Sequence, residues 1–128
     1  MEGHPLSLGI SILTGLIAVE HAYFMVLEMF LWQYPVGLKA FGNTPEAAKA
    51  SAVLAANQGL YNGFLAAGLA WSLATADPGL GAPLRLFFLA CVSLAGLYGA
   101  YSVSRRIFFI QALPALIALL FTALWSHA

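Results

Sequence analysis

The sequence predicts an all-α fold: an integral membrane bundle of four transmembrane helices with both termini outside. Three observations predict it. Hydrophobic residues make up 62% of the 128 positions and charged ones 8%, whereas soluble domains carry about 25% charged residues. Apolar runs of about 20 residues, the length that crosses a hydrocarbon core about 30 Å thick, recur along the chain. The polar and Pro/Gly punctuation falls between those runs and leaves no stretch for a soluble domain, a low-complexity tract or an internal repeat. Residues 1–128 therefore read as a single transmembrane four-helix domain.

The first helix is expected over about 6–33. The opening "MEGHPLSLGI" is acidic where a secretory signal would be basic, and no small-residue cleavage site precedes Glu20, so this segment is expected to stay as a span. Pro35, Gly37 and Gly42 then interrupt helix formation across an interfacial loop of about 34–44. With Val36, Leu38 and Phe41 still apolar, that loop either lies along the cytoplasmic interface over a cavity mouth or simply connects two helices. The second helix is expected over about 45–76, with Thr44 as N-cap, Pro45 at the first helical position and Glu46 complementing the positive helix end. "ADPGLGAP" reads as the turn that ends it. The third and fourth helices follow at about 84–104 and 107–126, where Pro114 removes the hydrogen bond to the Ile110 carbonyl and bends the last one. Trp32, Tyr34, Trp71 and Trp125 fall near segment ends, where amphipathic rings favour the headgroup region. His4 and His127 are expected to be solvated at the flanks.

Four crossings place Lys39, Lys49, Arg105 and Arg106 on one side and Arg85 alone on the other, so the positive-inside rule puts loops 1 and 3 in the cytoplasm of a bacterial inner membrane protein. Formal net charge is zero and no basic block exists, which removes the electrostatic footprint for nucleic acid and for anionic-lipid recognition. Cys91 is the one cysteine. It has no thiol with which to form a disulfide or share a metal within the chain.

Chemistry must come from polar groups inside the spans. On the first helix, at about 100° per residue from Glu20, His21 falls at about 100°, Phe24 at about 40°, Glu28 at about 80° and Thr14 at about 120°. All lie on one side. An acidic residue at a helix centre costs about 2.5–3.5 kcal/mol on insertion scales, so two in one helix require compensation by hydrogen bonds or by pairing with protonated His21. Glu20, His21 and Glu28 are the candidate proton-transfer residues. On the second helix Asn57, Gln58, Tyr61 and Asn62 cover an arc of about 140°, opposite a ridge of Ala52, Ala56, Gly59, Gly63, Ala67 and Ala70 with a Gly-x-x-x-Gly step. Counting about 1.5 Å per residue from the cytoplasmic ends, Glu28, Tyr101 and Gln111 lie about 5–6 Å deep, Tyr98 and Asn57 near 10 Å, and Glu20, His21, Tyr61 and Asn62 at about 15–18 Å. This polar ladder predicts a water-accessible cavity open to the cytoplasm, with Asn57, Gln58, Tyr61, Asn62, Tyr98 and Gln111 as ligand-binding candidates.

The expected function is the binding of a small apolar or amphipathic molecule in that pocket, with isomerase-like acid–base chemistry by Glu20 and His21. A proton-coupled small-solute exporter acting as an oligomer is a second reading. A membrane scaffold or assembly factor without a ligand is a third, with the Gly59/Gly63 face meeting a partner or a second copy. The spacing of Glu20, His21 and Glu28 reproduces no Glu-x-x-His, His-x-x-x-His or Cys-x-x-Cys pattern, so no metal is expected. No cofactor is expected either, although a haem with His21 as its axial ligand stays an open alternative.

"EHAYFMVLEMFLW" and "FGNTPEAAKASAVLAANQGLYNGFLAAGLAW" resemble an uncharacterised family of small bacterial four-helix membrane proteins, a domain of unknown function. The resemblance covers the whole chain and implies the four-helix topology without implying an activity. Small multidrug resistance transporters offer a looser likeness in size and in a first-helix glutamate, but their near-absent charge bias differs from the one here. Membrane sterol isomerases of the emopamil-binding type place His, Glu and Asn in a helical cavity without a shared motif.

Overall fold

The protein is seen in a computed structural model that describes the backbone of residues 5–126 and the side chains of 7–125. His4 and His127 lie outside the described residues. The elements in chain order are α1 (Pro5–Phe30), α2 (Pro35–Phe41), α3 (Pro45–Ala74), α4 (Pro78–Ser102), a π-helical turn (Phe108–Ala112) and α5 (Leu113–Ser126). The fold is all-α, and no strand occurs among the described residues. Three stretches are long and apolar enough to cross a membrane: Ser7–Phe30, Pro78–Ser102 and Phe108–Trp125. The 30-residue α3 is long enough but not apolar enough to join them.

The described chain separates into two compact units, one holding residues up to Ala18 and from Ala67 onward, the other Val19–Ala66. In the second unit, the end of α1 and the start of α3 run antiparallel. A Cβ on Gly63 would meet Met25 Sδ at 2.7 Å, and one on Gly59 would meet Met29 Cγ at 2.7 Å and Glu28 Cβ at 2.9 Å. At Gly59, where a Cβ would also lie 3.2 Å from the Met25 carbonyl oxygen, glycine is what lets the two backbones come this close. Farther along, Trp32 Nε1 donates to Ser51 Oγ at 3.1 Å, so the indole's one polar atom is bonded within the fold.

The segment read from sequence as a loop holds α2. Pro35 supplies the fixed φ that suits a first helical position. Gly42 ends the helix in the left-handed region at φ 68°, and Asn43 N–H bonds back to the Leu38 carbonyl at 3.0 Å, the six-to-one closure of a glycine-terminated helix. Phe41 packs at a tilt against Trp32, with ring centroids 4.8 Å apart and planes at 49°. Gly37 admits no side chain, since a Cβ there would lie 2.0 Å from the Leu31 carbonyl oxygen.

In the first unit, α4 begins at Pro78 rather than near residue 84. Asp77 Oδ1 accepts from Gly79 N at 2.9 Å, and Pro78 occupies a position whose N–H would have no helical partner. The helix continues through Pro83, so two prolines and an aspartate read as a turn instead initiate a helix. Gly96 sets the packing of α4: a Cβ there would lie 2.7 Å from Ala112 N and 2.8 Å from its Cα. Ala112, Ala115 and Ala118 are fully buried along the π turn and α5, a small-residue surface of the kind that joins helices in lipid. Just before Pro114 the ladder widens, and Leu113 N–H bonds to the Phe108 carbonyl five residues back. The wider turn gives room to the proline ring, which would otherwise press on the Ile110 carbonyl.

Candidate functional site

The polar face of α1 is its buried face. His21 is fully buried and Glu28 nearly so, and both fall within the arc of about 40° that the helical repeat assigns them with Ile17. Glu20 falls about 60° outside that arc. Its side chain is 28% exposed and its Oε1 approaches His21 Nδ1 at 4.0 Å, beyond hydrogen-bond reach. Neighbours in a helix point about 100° apart and do not face each other, which explains the long separation. Glu20 Oε1 is buried and accepts a hydrogen bond from no described group. Phe24 packs edge-on against the His21 ring, with centroids 5.4 Å apart.

From α3, Asn62 Nδ2 donates to Glu28 Oε1 across the pair of helices in a buried hydrogen bond. This is the compensation that an intramembrane carboxylate requires. Asn62 can reach inward because it stands at the end of the carboxamide arc that adjoins the Gly59/Gly63 ridge, about 60° from Gly59.

The remaining candidates have other surroundings. Asn57, Gln58 and Tyr61 are exposed; Asn57 Nδ2 donates to the Tyr61 hydroxyl at 3.5 Å, and the Tyr61 ring tilts against Phe64 with centroids 6.1 Å apart. The expected arc of four ligand-binding side chains thus divides into one inward residue and three outward ones. Tyr98 is exposed on α4 and Gln111 is half-buried in the π turn; both belong to the other compact unit. The Gly59/Gly63 face, expected to meet a partner or a second copy, is covered by the chain's own Met25, Glu28 and Met29.

Sequence reading passed over several buried hydroxyls. Ser72, Ser93 and Thr122 are all nearly inaccessible, and Ser72 Oγ donates to the Leu69 carbonyl at 2.6 Å. Ser93 Oγ and Thr122 Oγ1 bond no described group. Nothing in their local sequence separates them from serines and threonines that bond back to their own helix, as Thr14 Oγ1 does to the Ile10 carbonyl at 2.7 Å.

Chemically, the second unit offers two carboxyls and an imidazole in different circumstances. Glu28 is held by a carboxamide; Glu20 is partly exposed and holds an unbonded oxygen beside a buried ring. Such a set can bind and pass protons.

Over residues 15–123 the chain matches the model of a family described as protein of unknown function, DUF1304. A relative from Lactococcus lactis subsp. lactis (strain IL1403), the uncharacterized protein YpaA, is 32% identical over 111 residues, covering 85% of this chain and 92% of that protein. No solved structure matches the chain.

Proposed function

The chain belongs to the DUF1304 family of proteins of unknown function, and from that premise we propose that it is a four-crossing protein of the bacterial inner membrane. Its activity, on this reading, is proton exchange by Glu20 and His21 with a small apolar or amphipathic molecule. One observation carries the reading: of two carboxyls on the same apolar helix, Glu28 has its oxygen bonded by Asn62, whereas Glu20 keeps a buried oxygen unbonded and a side chain 28% exposed. A carboxyl oxygen kept in an apolar span without a hydrogen bond is costly unless it serves a bound molecule or a proton.

The roles follow from that contrast. Glu20 is the group that meets the molecule, giving or taking the proton. His21 stands beside it as the second acid–base group. Glu28 and Asn62 position α1 against α3 and thereby fix where Glu20 projects. As an enzyme, such a site would move a proton from one carbon of a lipophilic substrate to another, with no change in oxidation state and no covalent intermediate. The crossing by α3 is supported by the charge distribution, and loops 1 and 3 are assigned to the cytoplasm on the same ground.

Dicyclohexylcarbodiimide, an apolar reagent that modifies protonated carboxyls, tests the reading in lipid vesicles. Mass spectrometry is expected to find the adduct on Glu20, with at least fivefold less on Glu28, and Glu20→Gln is expected to abolish it. An adduct confined to Glu28, or none at all, would overturn the assignment. Conversion of lipophilic alkenes in detergent without a pH gradient would then mark an enzyme, and movement that requires a gradient would mark an exporter.

A further inference from the structure

Glu20 has needs that only some molecules can meet. Its Oε1 is buried and accepts no hydrogen bond, while its side chain as a whole keeps an exposed part through which a molecule can approach. Among the described residues no lysine or arginine pairs with it, and His21 Nδ1 stands 4.0 Å off. The surroundings on α1 are apolar and aromatic. Phe24, one turn along, falls about 40° to one side of Glu20, and Tyr23 about 60° to the other. Tyr23 and Val19 are exposed, and Phe24 is half-buried. Each class of ligand answers this setting differently. A hydrocarbon or a ketone brings no donor and leaves Oε1 unbonded. An alcohol brings a donor without a charge, and an anion brings repulsion. A protonated amine brings an N–H donor and a positive charge together, which makes the shorter and stronger charge-assisted bond. Aromatic faces also favour a cation where water is scarce.

We infer that the molecule Glu20 meets is a lipophilic amine, bound as its ammonium with the N–H donated to Oε1. Its head lies beside Tyr23 and Phe24, and its hydrocarbon part runs past Val19 into the acyl layer. Proton exchange is then between oxygen and nitrogen. The amine lone pair takes the carboxyl proton, an N–H bond forms as the O–H bond breaks, and the electron pair stays on the carboxylate. Carboxylic acid with free amine and carboxylate with ammonium are both neutral overall, so neither state leaves a net charge in the apolar span. The inference rests on the reading of Glu20 as the group that meets the molecule, and it selects nitrogen over carbon as the atom that trades the proton.

The test is protection of Glu20 from dicyclohexylcarbodiimide, read by mass spectrometry on the full chain in phosphatidylcholine vesicles. A carboxylate paired with an ammonium is not the protonated form that the reagent attacks. N,N-dimethyldodecylamine is therefore expected to slow the adduct. Its half-protection is expected at about tenfold lower membrane concentration than that of dodecyltrimethylammonium, which carries the same charge without an N–H; one hydrogen bond to a charged group makes that difference. Dodecan-1-ol is expected to protect less than the amine. Binding of the amine to vesicles carrying the chain, above that to lipid alone, is expected to weaken about tenfold with Glu20→Gln. An adduct on Glu20 that the amine does not slow, or that dodecyltrimethylammonium slows equally well, overturns the amine and leaves Glu20 as the reactive carboxyl. The absence of any adduct on Glu20 removes both.

Discussion

Asn62 and Glu28 hold each other where neither is open to water. Removing one partner of a buried hydrogen bond leaves the other with its full desolvation cost, about 1–3 kcal/mol, whereas replacing both with apolar groups of similar size is close to neutral. Asn62→Ala is therefore expected to lower the thermal unfolding midpoint in detergent by several degrees, and Glu28→Leu combined with Asn62→Leu to restore most of it. If Asn62→Ala leaves the midpoint unchanged, the bond contributes nothing and Glu28 loses its positioning role. The inward face of α1 was legible in part: of the residues expected on one side, Thr14, His21 and Glu28 are buried, whereas Glu20 and Phe24 are only half-buried. Which member of the carboxamide arc would turn toward it was not legible. A helical wheel gives angles between residues but no absolute direction, and the small residues that fix that direction, Gly59 and Gly63, act only once α1 lies against them.

Between elements, the close approaches are graded by what stands opposite each glycine. Gly96 faces backbone, with Ala112 N at 2.7 Å from the site of a Cβ, and backbone cannot rotate away. Gly59 faces Glu28 Cβ at 2.9 Å and a Met29 side chain, and Gly63 faces Met25 Sδ, the far end of a flexible thioether. Gly96→Ala is expected to destabilise most, by about 1–3 kcal/mol as overpacking does, with Gly59→Ala next. Gly63→Ala is expected to be neutral or slightly stabilising, since alanine gains up to about 1 kcal/mol of helix propensity. Thermal unfolding of the three variants in one detergent checks the order; a Gly63→Ala loss as large as that of Gly96→Ala would refute it. Gly59→Leu is accordingly expected to disrupt the unit containing α1 and α3 directly. The Gly-x-x-x-Gly step was visible in sequence, but Gly96 was not, because the surface it meets lies beyond the next turn of chain. The start of α4 was misplaced for a related reason: Asp77 and Pro78 punctuate equally well as a turn or as the first residues of a helix, and only the bond from Gly79 N to Asp77 Oδ1 decides.

For the molecule as a whole, composition alone made a membrane protein legible, but the number of crossings turns on α3, the helix whose polar content blurs its apolar signal. Charge separates the two topologies. If α3 crosses, Lys39, Lys49, Arg105 and Arg106 share one side and Arg85 stands on the other, four against one. If α3 stays on one side, Lys39, Lys49 and Arg85 fall together against Arg105 and Arg106, three against two, and the bias that orients membrane proteins nearly vanishes. The charges therefore favour the proposed four-crossing arrangement. It makes a direct prediction about the ends of α3, where Ala47 and Ala76 are both exposed. With Cys91→Ala as background, Ala76→Cys is expected to react with a charged maleimide added outside intact cells, and Ala47→Cys only after the membrane is permeabilised. Labelling of both from the same side would remove the crossing, and with it the bias used to orient the chain. The hydrogen bond between Glu28 and Asn62 would survive that result, since it belongs to the packing of α1 on α3 and not to the membrane around them.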